Sequence, residues 1–220
     1  MLVFGGVAIT PGRRLFDHTQ AVEMASLIGS GASALWWGYP LFCSGANLAF
    51  RKAAFEAVEG YAGNFGVASG DDEFLMRKII AKYPGSLAFA ATPDNVVGTQ
   101  PAPSLKSFIQ QRMRWAGKWK YNNSLYAKAV AVYIFLVQVT LAAALVFVFS
   151  GDRSLHRVSA AILAGRFIAE FLFLYPVTRF LGIRWNWLGY IVLQVVYPWY
   201  VIMTALFSAV LKGSWKGRKL

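Results

Sequence analysis

Three apolar runs, 129–150, 158–181 and 187–211, dominate the chain from Ala129 onward. Each is long enough to cross a hydrocarbon core of about 30 Å, which takes roughly 20 helical residues. Residues 1–128 read instead as mixed globular sequence. The chain is therefore expected to fold in two environments, a water-facing part followed by a membrane part. A hydrophobic content of 57% and a mean hydropathy of +0.46 fit that division and exclude an ordinary soluble domain.

Charge is as unevenly placed as hydrophobicity. The formal net charge is +12, and no acid lies between Asp94 and Asp152. The segment QQRMRWAGKWK, residues 110–120, sits in that acid-free stretch just before the first apolar run. Such a balance favours anionic lipid or phosphate-bearing ligands. Nucleic acid is not expected as the partner of a chain with several membrane spans. Cys43 is the single cysteine, so no internal disulfide and no cysteine-rich metal site can form. His18 and His156 lie too far apart, in segments of different kind, to suggest a metal pair.

Local patterns predict the elements. MLVFGGVAIT reads as a strand over 2–9 entering the Pro11-Gly12 turn, not as a signal peptide. Apolar positions at helical spacing predict a helix over 16–35. LFCSGANLAFRKAAFEAVEGY reads as strand, glycine turn, short strand and then a helix from about Lys52, stopped near Gly60. GNFGVASG is a loop. DDEFLMRKIIAKYP is a helix with acids first and cations last, which suits the helix dipole. Two short strands should flank Pro93-Asp94-Asn95, and a proline-started helix should follow from Pro101. In the second apolar run Arg166 and Glu170, spaced i,i+4, either neutralise each other or face a partner helix. Pro198 predicts a kink in the third run, and Trp185, Trp187, Tyr197 and Trp199 predict interfacial aromatics. Three spans would put the basic tail KGSWKGRK opposite the basic 106–128 segment, against the positive-inside rule. Either one segment is re-entrant or interfacial, or the tail is an exception.

Three short motifs could carry chemistry. In GDDEFLMRKI, carboxylates at a loop-to-helix junction can be aimed into a cleft, as a general base requires; they also suit simple dipole compensation. Gln111, Arg114 and Trp115 spell QxxRW and share one helix face. An arginine fork suits diphosphate oxygens, and an indole suits the C–H face of a sugar. The same residues would equally form a cation–aromatic belt beside a membrane. The turn at Gly45 to Asn47 lets backbone approach a ligand, with Asn47 as a polar reader, or is simply a tight turn between strands.

Taken in order, the Gly-Ala-Asn turn, the acidic pair, QxxRW and then apolar helices resemble the membrane-bound family 2 glycosyltransferases. That superfamily includes the cellulose, hyaluronan and poly-N-acetylglucosamine synthases. The resemblance implies a partial Rossmann-like α/β domain of the glycosyltransferase-A type, followed by an α-helical transmembrane region. It divides the chain into 1–105, the later half of a catalytic domain; 106–128, an interface helix with QxxRW; and 129–220, about three spans and a basic tail. It implies Asp72 as catalytic base with Asp71 beside it, and Arg114 at the nucleotide diphosphate. Trp115 falls under the acceptor sugar, Gln111 at the glycan end, and Gly45 to Asn47 in the acceptor pocket. It also implies a UDP-sugar donor, a carbohydrate or lipid acceptor, and a divalent Mg or Mn ion. Catalysis would take place on the cytoplasmic face of the plasma (inner) membrane. The family's Asp-x-Asp metal motif is missing from these 220 residues. On the resemblance, metal ligands and the nucleotide-binding half are expected upstream of Met1, making this a fragment inactive alone. The alternative from another class is a non-catalytic membrane scaffold or transport component built around Arg166 and Glu170.

Overall fold

The computed structural model describes residues 1–64, 70–117 and 124–210, with the backbone of 214–215 and 218–219. Most of the 63–70 loop, Lys118 and Lys120, and much of the basic tail lie outside the described residues. The chain is mainly helical around a small mixed sheet. The strand expected over 2–9 is two strands, β1 (Leu2–Gly5) and β2 (Val7–Ile9), separated at Gly6. Helix α1 (Leu15–Trp36) follows, then β3 (Leu48–Phe50), α2 (Lys52–Ala57), α3 (Asp71–Lys82), β4 (Leu87–Ala90) and β5 (Val97–Thr99). Residues 41–44, expected as a strand, form no regular element. The helical part continues with α4 (Leu105–Gly117), α5 (Leu125–Phe147), α6 (Arg153–Phe180) and α7 (Trp187–Val210).

The strand order is β3-β1-β4, with β1 antiparallel to β3 and parallel to β4. The pair β2-β5 is parallel. Thus β4 and β5, adjacent in sequence around Pro93–Asn95, do not form a hairpin; each joins one of the two opening strands. Asn47 closes the gap at Gly6. Its amide donates to the Gly6 carbonyl at 2.9 Å and to the Asn95 carbonyl at 2.6 Å. Gly5 must be glycine for this to fit, because a Cβ there would lie 2.4 Å from the Asn47 amide nitrogen.

Caps mark the helix starts as the sequence chemistry requires. Ser124 accepts from the Ala127 amide, and Asp152 accepts from Ser154 and Leu155, each relieving amides with no helical partner. At α1, Asp17 accepts hydrogen bonds from Arg14, which hold its carboxyl below the usual range against the opposing effect of burial. Helices α5, α6 and α7 are each long and apolar enough to cross a membrane. Their outward faces carry exposed Val132, Leu172 and Val196 among other large apolar side chains, which bulk lipid can cover. This is a membrane protein by that criterion.

Helix α1 joins the two parts. On one side Ala21, Ala25 and Ile28 pack with Val7 and Ile9 of β2, and with Leu181 and Ile183 of the α6–α7 connection. On the other, Val22 packs with Leu174 of α6 and Tyr190 of α7. At Gly29 a Cβ would come within 2.9 Å of Val177, so the missing side chain lets α6 approach. The boundary expected at 128 is therefore bridged by a common core. Arg166 and Glu170 fulfil both alternatives at once. They pair at 2.9 Å, and Gln194 of α7 closes the network, donating to Glu170 at 2.7 Å and accepting from Arg166 through its backbone carbonyl. Helix α7 runs on through Pro198, and α6 through Pro176. Trp185 and Trp187 pack with Phe171 and Tyr190 at the α6–α7 junction, while Trp187 and Trp199 keep about half their surface exposed.

A buried ion pair also ties α1 to α4. Glu23 of α1 takes both ends of the Arg112 guanidinium of α4: Nε lies 2.8 Å and 3.1 Å from its two oxygens, and Nη2 donates as well. Both side chains are 4% exposed. Tyr200 of α7 adds a hydroxyl at 3.3 Å. Burial works to lower the Arg112 pKa, but the Glu23 carboxylate outweighs it and the pKa is raised. Removing one partner of such a pair leaves the other charged and dry. Glu23→Ala should therefore cost about 3–5 kcal/mol, read as a lowered Tm in detergent. A Tm unchanged from wild type would contradict the buried pair.

Candidate functional site

A cleft of about 650 Å³ opens between α1, the 42–46 loop, the start of α3 and one edge of α4. Its polar lining brings together Gly45, Asp71, Asp72, Arg114 and Trp115, which the sequence spreads over three separate motifs. Met24, Leu27 and Ile28 of α1 form an apolar wall beside them.

Local folding explains the placement of the acids. Gly70 adopts φ +93°, a left-handed conformation natural to glycine, and starts α3 abruptly. The three acids Asp71, Asp72 and Glu73 then occupy the first turn and diverge. Asp72 accepts a 2.7 Å hydrogen bond from the Gly45 amide through Oδ2 and a 2.8 Å bond from the Glu73 amide through Oδ1. Asp71 accepts from the side chain of buried Asn64 at 2.7 Å. Glu73 turns inward and pairs with Arg77 at 2.8 Å, whose guanidinium also reaches the Leu41 carbonyl. Gly45 is spatially constrained too: a Cβ would come to 3.3 Å from Asp72 Oδ2. A carboxylate has about four acceptor positions, and two backbone amides fix the Asp72 carboxylate while leaving capacity for a further donor.

Helix α4 supplies the opposite wall. Ser104 caps it by accepting from the Ser107 amide at 3.2 Å. Gln20 of α1 holds its approach, bonding both the amide and the carbonyl of Ala102. Within the helix, the Arg112 guanidinium lies over the rings of Phe108, at 4.5 Å, and Trp115, at 4.3 Å. Trp115 is half-buried against the core formed by α1 and β2, and its remaining surface borders the cleft with Arg114.

Two expected site residues stand elsewhere. Asn47 does not line the cleft; its amide is engaged by the carbonyls of Gly6, between β1 and β2, and of Asn95 in the 93–95 turn. Gln111 does not line it either; its side-chain oxygen accepts from Arg112 at 2.5 Å. Conversely, Tyr61 lines the cleft and was not expected there. Burial first, then the Asp71 and Asp72 carboxylates, push its phenol pKa further above neutrality. Glu23 and Arg112 were also missed. The available signal was a lone acid inside an otherwise apolar stretch, which must find a cation when buried.

Among the described residues no group of three or more His, Cys, Asp and Glu is placed to hold a metal ion. The chain matches no protein-family model and no curated protein.

The placement of Asn47 makes a specific prediction. Asn47→Ala removes the side-chain donor from the Asn95 carbonyl, leaves the Gly6 carbonyl to the Val97 amide alone, and should destabilise the fold by about 1–3 kcal/mol. The check is a chemical or thermal unfolding curve of the detergent-solubilised protein. Wild-type stability would mean that the side chain is not the bridge between β1, β3 and the 93–95 turn.

Proposed function

We propose that this chain belongs to a membrane glycosyltransferase that moves a sugar, with inversion, from a nucleotide-activated donor to an acceptor hydroxyl. One observation carries the reading: the acidic pair and the Arg114–Trp115 edge, distant in sequence, line one cleft. Asp72 is the base. The Gly45 and Glu73 amides aim its carboxylate, and its free acceptor position takes the acceptor hydroxyl. As the acceptor oxygen attacks the anomeric carbon, its proton passes to Asp72, and the C–O bond to the diphosphate breaks on the opposite face. Arg114 faces the departing diphosphate with a fork of donors. Trp115 offers its ring to the acceptor sugar, and Tyr61 remains a hydroxyl donor beside the acids.

The parallel pairing of β1 with β4 and of β2 with β5 supports reading the sheet as part of a Rossmann-like α/β domain. The Mg or Mn ion implied by the resemblance finds no matching ligand cluster among the described residues, and no step above passes through it. The donor is read as a UDP-sugar and the acceptor as a glycan or lipid. The cleft is read as facing the cytoplasm beside the plasma (inner) membrane.

Asp72→Asn, introduced at the gene's own locus, should lower sugar transfer by roughly 10²–10⁴-fold, the usual contribution of a positioned base, with membrane insertion unchanged. Activity within a few-fold of wild type, with Asp71→Asn inactive, would move the base to Asp71. Trp115→Ala should weaken acceptor use more than donor hydrolysis, with some loss in both because the same ring packs on Arg112. A raised donor KM with unchanged acceptor dependence would instead put the indole against the nucleotide.

A further inference from the structure

Between Glu23 and Arg51 the sequence carries no charged residue, and in its middle stands Trp36-Trp37-Gly38-Tyr39. These aromatics are not core. Trp36 is 87% exposed, Trp37 77% and Tyr39 59%. Nor is the turn that carries them loose. Gly38 takes φ +80°, and the amides of Trp37, Gly38 and Tyr39 bond back to carbonyls of Ser33, Leu35 and Ala34 in the last turn of α1. A rigid turn thus displays two indoles and a phenol to the outside, an arrangement that water does not favour.

The neighbouring element identifies what covers them. The Tyr39 ring lies 5.1 Å from that of Tyr126, in the first turn of α5. Helix α5 is long and apolar enough to span a membrane, and Leu125 at its start is 82% exposed. The turn is therefore level with the point where α5 enters the bilayer. Trp and Tyr prefer this depth, because ring and polar tip are satisfied together at the headgroups. Aromatic side chains with no charge among them suit the headgroup–acyl boundary better than a water-filled protein interface.

We propose that Trp36, Trp37 and Tyr39 insert into the headgroup layer at the membrane surface where α5 enters, forming a second anchor beside the spans. The chain passes directly from this anchor into residues 42–46, which line the cleft. The anchor accordingly holds the mouth of the cleft close to lipid, within reach of membrane-borne molecules. The inference rests on exposure and on the Tyr39–Tyr126 contact, and stands whether or not the cleft transfers sugar.

Spin-label accessibility tests it in phosphatidylcholine vesicles. A nitroxide at Trp37→Cys, and separately at Trp36→Cys, is compared with Val132→Cys on the outer face of α5 and Lys52→Cys in water. The native Cys43 is 3% exposed and stays in place, with the labelled parent as blank. Relaxation by oxygen relative to a water-soluble nickel chelate should be several-fold higher at 36 and 37 than at 52, moving toward the value at 132. Ratios equal to that at 52 would overturn the proposal. So would dipolar broadening between labels on two chains, which would make the patch a contact between copies. Should one variant fail to insert, the other gives the same readout.

Discussion

Glu23 and Arg112 meet as a two-pronged ion pair with nearly all water removed, and the remaining architecture is arranged around that contact. Two isolated charges could not be buried there; together, with Tyr200 completing the carboxylate's partners, they can. The pair fixes the axial position of α4 against α1. The aromatic rings on either side of Arg112, Phe108 and Trp115, then fix its rotation. Because Phe108 also packs on Tyr200 at 5.5 Å, α7 takes part in the same contact.

This arrangement gives α4 two jobs. Positions 108 and 112 face inward and hold the helix, while 114 and the free part of 115 border the cleft. On the other side of the cleft, the left-handed start at Gly70 and the Gly45 amide orient the carboxylates of α3. Neither wall includes a membrane-spanning helix. The site is nonetheless tied to the spans, because α1 packs on β2 with one face and on α6 and α7 with the other. A disturbance among the spans should thus be felt at the cleft through α1.

Much of this was legible in the sequence for identifiable reasons. The three long helices announce themselves by apolar runs long enough to cross a hydrocarbon core, while their caps at Ser124 and Asp152 appear only in the structure. The start of α3 follows from a glycine before three acids. The i,i+4 spacing of Arg166 and Glu170 offered either a mutual pair or a partner helix, and the structure supplies Gln194 as the third member. Short strands were harder. A continuous run over 2–9 conceals the break at Gly6, which depends on Asn47 arriving from 41 residues away. Asp71 and Asp72 line the cleft because the left-handed start at Gly70 sets both in the first turn of α3. Asn47 and Gln111 stand away from it because an amide can equally satisfy a carbonyl or a guanidinium nearby. Sequence motif does not say which. Glu23 was invisible as a partner for Arg112 because its pairing spans 89 positions.

The account turns on whether the buried pair sets the position of α4 relative to the acids. Pulsed dipolar spectroscopy between nitroxides on the exposed positions Lys82 of α3 and Lys106 of α4 measures this directly, with and without Glu23→Ala. The account predicts one narrow distance distribution in the parent, and a broadened or displaced one when Glu23 is lost. An identical narrow distribution in both proteins would show that α4 is held in place by something other than this ion pair.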